Sequence, residues 1–137
     1  LGPVPAFDLF DKTWPIRSYH TQRPPARSLG GSRIHDSLIS VGATVHSAHV
    51  ERSIVGPGVE IASGAEVTNC VLFDNVKVGP GCRLEHAIVD KQNIIPPNVE
   101  IGYEPDLDRR RFTVTDGGVT VVPKEVPACE RFWRGEP

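Results

Sequence analysis

The feature that most constrains this chain is a hexad rhythm between Leu38 and Ile101. Stepping by six, six and then five residues visits Leu38, Thr44, Val50, Val55, Ile61, Val67, Leu72, Val78, Leu84, Val89, Ile95 and Ile101, and only Thr44 among them is not aliphatic. Two places before each lies a small or branched residue, such as Gly42, Ala48, Ser53, Ala65, Cys70, Cys82 or Ala87, with Asp36 and Asn93 as exceptions. Each hexad therefore offers two inward positions. Turn-forming residues fall between them, in Gly56-Pro57-Gly58, Ser63-Gly64, Gly79-Pro80-Gly81 and Pro96-Pro97-Asn98, and stop each strand after a few residues. A period of 17 built from three strands and three turns closes one triangular coil. Stacking such coils about 4.8 Å apart gives a parallel β-helix with an aliphatic interior. About four coils fit the repeat, and a stack this short needs its open ends covered.

Composition agrees with strands rather than helices, because 17 Val and 9 Ile stand against 7 Leu and no Met. No apolar run approaches the roughly 20 residues needed to span a bilayer, so no membrane association is expected. The net charge is +2 over residues 1–37, −3 over 38–101 and −1 over 102–137. A nucleic-acid partner is not expected either, since a duplex binder needs a net-positive face and Arg109-Arg110-Arg111 is bracketed by Asp106, Asp108 and Asp116. Three cysteines, Cys70, Cys82 and Cys129, without CxxC spacing indicate neither a disulfide framework nor a zinc knuckle. A reducing, cytoplasmic setting fits them. The chain opens on Leu1 without a charged start and apolar stretch, a pattern expected of a segment of a longer protein.

Three regions follow from the rhythm. Residues 1–33 carry Phe7, Phe10, Trp14 and Tyr19 with Pro15, Pro24 and Pro25, and read as an extended linker. Residues 34–102 form the β-helix. Residues 103–137 hold a β-hairpin around Asp116-Gly117-Gly118, then a tail, both expected to pack on neighbouring structure.

Few residues suggest chemistry. Leu29-Gly30-Gly31-Ser32-Arg33 leads into β-helix sequence instead of a helix start, so it reads as a plain loop rather than a phosphate cradle. His35 and His86 differ by three periods, which places them in one column but about 14 Å apart, too far to share a metal. His46 and His49 supply two ligands at most. Cys70 and Cys82 fall at small inward positions, where a thiol acts as a compact hydrophobe. The Arg109–Arg111 run reads as a solvated turn.

Hexapeptide repeats occur in acyltransferases, trimeric carbonic anhydrases and sugar-nucleotide pyrophosphorylases, and the flanks narrow the choice. Phe10-Asp11-Lys12-Thr13-Trp14-Pro15-Ile16-Arg17-Ser18-Tyr19 with Pro24-Pro25-Ala26-Arg27 resembles the linker entering the C-terminal domain of bacterial glucose-1-phosphate adenylyltransferases (ADP-glucose pyrophosphorylases). The resemblance continues through Asp36-Ser37-Leu38-Ile39-Ser40, Ile88-Val89-Asp90-Lys91 with Ile95-Pro96, and Asp106 to Phe112 with Gly117-Gly118-Val119. It implies an all-β, left-handed β-helix serving glycogen synthesis, in an enzyme that condenses ATP with glucose 1-phosphate and releases pyrophosphate. It further implies that the catalytic nucleotidyltransferase domain and its magnesium lie outside this chain, which needs no cofactor and is inactive alone. A homotetramer is implied for the complete protein. Phosphorylated effectors would bind between the two domains, with phosphate contacts from Lys91 and Lys124; Arg131, in a tail that the resemblance does not reach, is a further candidate cation. The alternatives are a hexapeptide acyltransferase, using a histidine as general base, and a non-enzymatic oligomerisation scaffold.

Overall fold

The computed structural model describes residues 11–13, 22–124, 126 and 130–136. Three parallel sheets wrap a single aliphatic interior. The first stacks Arg27–Leu29, Thr44–His46, Glu60–Ile61, Lys77–Val78 and Ile94–Ile95. The second stacks Arg33–His35, His49–Glu51, Glu66–Thr68, Arg83–Glu85 and Glu100–Ile101. The third stacks Leu38–Ile39, Ile54–Val55, Val71–Leu72 and Ala87–Val89, and is extended by Thr120–Val122, beside which Thr113–Val114 lies antiparallel. This is an all-β solenoid of about four turns with a C-terminal hairpin, as the hexads imply. Sheet pairing starts at Arg27–Leu29, inside the stretch read as a linker. The aromatic part of that stretch, Phe7, Phe10, Trp14 and Tyr19, lies outside the described residues.

Inside, like residues stack on like. Val50, Val67, Leu84 and Ile101 form one ladder. Val55, Leu72, Val89 and Val122 form a second. Ile61, Val78 and Ile95 form a third. All are buried, as are Ala48, Val59, Ala65, Cys70, Val76, Cys82, Ala87 and Val99 two places earlier. Each corner holds a residue in the left-handed region, which a tight turn between short strands requires. At the corner leaving the third sheet these are Gly42, Gly58, Asn75 and Gln92, with φ of +73°, +67°, +59° and +65°.

The first coil departs from the hexad register. Ile34, Ile39 and Val45 pair with Val50, Val55 and Ile61, each 16 residues on instead of 17. The turn from Val45 to Val50 is one residue shorter than the matching turn from Ile61 to Val67. Counting backward in sixes therefore lands on Thr44 and Leu38, whereas the inward residues are Val45, which is buried, and Ile39, which packs on the core. A one-residue slip moves a strand's side chains to its other face. The same missing residue separates His35 from His86. His35 stands in a column with Glu51, Thr68 and Glu85, so the two histidines do not share one.

The C-terminal end is closed by structure that the rhythm does not foresee. The partner of Ala87 is Thr120, 33 residues on, because a helix intervenes. This helix, α1 (Pro105–Arg111), starts with Pro105, carries Asp106 and Asp108 early and ends with Arg109, Arg110 and Arg111, an order that complements the helix dipole. Arg111 is therefore no solvated turn residue. Its side chain is 3% exposed and pairs with Asp108, 1% exposed, at 2.6 Å. A second short helix, α2 (Glu130–Arg134), buries Trp133 against Phe112 with ring centroids 5.7 Å apart, and Phe132 packs edge-on to both.

Candidate functional site

The corner that turns Asp90-Lys91-Gln92-Asn93 out of the third sheet holds the residues that the sequence singles out. Gln92 takes the left-handed conformation, and its N–H donates to Asp74 O in the coil below. The Asp90 carboxylate folds onto its own turn, where Oδ1 accepts from the Lys91 N–H at 2.7 Å. Above, the Asp90 N–H donates to Val122 O at 2.9 Å. Asn93 occupies an inward position normally given to a small apolar residue. It is 4% exposed, and its Nδ2 donates to both Asp90 O, at 2.8 Å, and Pro123 O, at 2.9 Å. A buried amide needs such partners, and the two it takes tie the corner to the strand end.

One consequence is positional. Lys91 and Lys124 are the exposed residues just beyond the two stretches that Asn93 joins, so both cations stand on adjacent levels of one corner. Arg131 lies apart from them in sequence on α2, exposed, where the helix covers the solenoid end through Trp133. By register Lys91 and Lys124 stand on adjacent levels of one corner, while Arg131 lies on the cap.

The other candidates acquire no chemistry from their surroundings. His49 Nε2 is 3.7 Å from Glu51 Oε2, and the His35 and His49 rings meet edge to face at 6.3 Å on an exposed outer face. Among the described residues, no group of three or more His, Cys, Asp or Glu is placed to hold a metal ion. Burial pushes the Cys70 thiol up to about 11, and its Sγ donates to Thr68 O. Cys82 is also raised by burial, with its Sγ against Pro96 O. Neither is a nucleophile near neutral pH. Cys129 lies outside the described residues. Gly30-Gly31 turns between two strands, and Ser32 Oγ donates to Leu29 O there. No helix follows it to offer amides to a phosphate.

Two structural details escape a reading of the sequence. The aliphatic rule marks Asn93 only as an exception, although a polar residue at an inward hexad position is the signal for a staple. The Asp108–Arg111 pair hides in a charged run. There Asp108 Oδ2 accepts from the Gly102 N–H at 2.8 Å, while the Arg111 guanidinium donates to Glu100 O and Trp133 O. One ion pair thus joins the last coil, α1 and α2.

Residues 24–122 match the model of the family described as GlmU-like, C-terminal hexapeptide. Glucose-1-phosphate adenylyltransferase 2 of Vibrio cholerae is 41% identical over 129 residues, an alignment covering 90% of this chain and 32% of that protein. The glucose-1-phosphate adenylyltransferase of Rhodopirellula baltica is 41% identical over 133 residues, covering 90% and 30%. That of Koribacter versatilis is 37% identical over 132 residues, covering 93% and 32%. The chain spans about a third of the length of these relatives.

Proposed function

The chain belongs to the GlmU-like C-terminal hexapeptide family, and we propose that it is the regulatory and assembly domain of a glucose-1-phosphate adenylyltransferase. In this reading the reaction of ATP with glucose 1-phosphate, and the magnesium that holds the phosphates, belong to polypeptide beyond these 137 residues. The complete enzyme is a cytoplasmic homotetramer in glycogen synthesis. Phosphorylated effectors bind where this domain faces the catalytic one, held by Lys91 and Lys124, with Arg131 as a further cation.

The observation that carries the regulatory part is the Asn93 staple, which sets Lys91 and Lys124 on one corner. Two neighbouring ammonium groups suit a phosphate or a sugar bisphosphate, because charge-assisted hydrogen bonds are about twice as strong as neutral ones. An acyltransferase reading finds less support, as the relatives above are adenylyltransferases and His49 and His86 stand beside the surface carboxylates of Glu51 and Glu85.

Turnover tests this directly. The purified chain is expected to make no ADP-glucose from ATP and glucose 1-phosphate, whereas the longer polypeptide makes it and responds to phosphorylated effectors. Turnover by the chain alone, free of contaminating enzyme, overturns the non-catalytic assignment. Effector curves unmoved by Lys124→Ala remove the regulatory one.

A further inference from the structure

The two ends of the solenoid are held differently. Helices α1 and α2 pack on the C-terminal end, whereas the first coil is thinly buried: Arg27–Leu29 is exposed throughout, and Ile34 and Ile39 are only partly buried although they take inward positions. A coil of this kind opens first, because few apolar contacts oppose local unfolding. Ahead of it runs Gln22-Arg23-Pro24-Pro25-Ala26, in which each proline keeps the residue before it out of helical backbone. This segment continues the hydrogen-bond ladder of the corner leaving the third sheet. The Gly42 N–H donates to Pro24 O at 2.7 Å, just as Gly58 donates to Val41 O, Asn75 to Pro57 O and Gln92 to Asp74 O in the coils above.

The Arg23 side chain does not follow its backbone along the first coil. It climbs the corner instead, and its Nη1 donates at 2.9 Å to Oδ1 of Asn75, 52 residues on. On its way it crosses Gly42 and Gly58. A Cβ at Gly42 would stand 3.0 Å from Arg23 Cδ, and one at Gly58 would overlap the guanidinium. All four residues of this column have positive φ, a conformation that Asn75 and Gln92 also adopt, so turn geometry alone does not require glycine at the lower two levels. Clearance for Arg23 does. The side chain thus bypasses the weak first coil and fastens beside Val59 and Val76, both 0% exposed.

We propose that Arg23 is a clasp that straps the entering polypeptide across this corner and holds the first coil shut, and that its release from Asn75 lets the entry segment and the first coil open together. Lys91 and Lys124 stand on the next two levels of the same corner. The closed clasp therefore directs whatever precedes Gln22 to the corner on which those cations stand. The clasp is built from residues of this chain alone, so it stands apart from the effector reading.

Amide hydrogen exchange on the 137-residue chain tests it. In Arg23→Ala the amides of Gly42 and Arg27, which donate to Pro24 O and Ala43 O, are expected to exchange about tenfold faster, the worth of one hydrogen bond to a charged group. The amides of Lys77 and Gly79, higher in the stack, keep the parent's rates. Asn75→Gly, which keeps the left-handed turn and removes the acceptor, is expected to speed the same two amides. Gly58→Ala supplies a second arm. Its backbone strain at φ +67° is the same in either background, so a greater acceleration at Gly42 in the parent than in Arg23→Ala reports the lost clearance. Parental rates at Gly42 and Arg27 in Arg23→Ala overturn the proposal. So does an equal acceleration at Lys77 and Gly79, which makes Arg23 a general stabiliser, and so do equal effects of Gly58→Ala in the two backgrounds.

Discussion

Ile61 shows how tightly a single position is held in this solenoid. It is buried between Val45 and Val78 in the coils on either side, where water cannot reach a charge. Ile61→Asp places a carboxylate there without a partner, and we expect a loss of several kcal/mol and no cooperative thermal transition. A native-like melting curve for this variant contradicts the register. Cys70 gives a second test through pH. Its thiol is held near 11 by burial, against an ordinary 9.0, so above pH 9 the unfolded chain releases a proton that the native chain keeps. The native state binds more protons in that window, and stability falls as pH rises from 9 toward 11, by up to about 3 kcal/mol from this group. In chemical denaturation at pH 8 and pH 10.5, Cys70→Ala is expected to lose less stability than the parent. Most of these interior positions are legible in the sequence, because a period of 17 repeats the same environment. Leu38 and Thr44 are not, since one residue missing from a turn carries no chemical signature and only the strand pairing reveals it.

At the scale of elements, the strands are written in the hexads and the cap is not. Helix α1 has too few residues to show a 3.6-residue period, and its charged run resembles a surface loop until Arg111 is seen buried against Asp108. That pair links Gly102, Glu100 and Trp133, and Gly102 itself has no freedom to change. It adopts φ +92°, and a Cβ there falls 1.7 Å from Glu85 O. Arg111→Ala leaves the Asp108 carboxylate buried without its cation and is expected to cost about 3 to 5 kcal/mol, as breaking one side of a buried pair does. In a Trp14→Phe background, its local consequence is a red-shifted Trp133 emission as α2 leaves the solenoid end. Unchanged emission together with parental stability contradicts the role given to the pair. The candidate site divides in the same way. The family resemblance points to Lys91 and Lys124, while the Asn93 hydrogen bond that joins their segments reaches Pro123, 30 residues on, a contact that no local pattern encodes.

For the whole molecule, the central claim is that a rigid, non-catalytic solenoid carries an anion-binding corner through which effectors act on chemistry elsewhere in the polypeptide. Allostery of this kind requires the effector to distinguish two states of the enzyme, and a phosphate held between two packed parts does so if their packing differs between the states. The most direct measurement is the effector concentration giving half-maximal response in the longer polypeptide, for the parent, Lys91→Ala and Lys91→Arg. Removing one ammonium from a charged hydrogen bond costs the ligand about 1.5 to 3 kcal/mol. That predicts a shift of about 10- to 150-fold for Lys91→Ala. Lys91→Arg is expected to keep most of the response, because charge outweighs shape at a single phosphate oxygen. Superimposable activation and inhibition curves for the parent and Lys91→Ala contradict the account, and leave the corner a solvated turn.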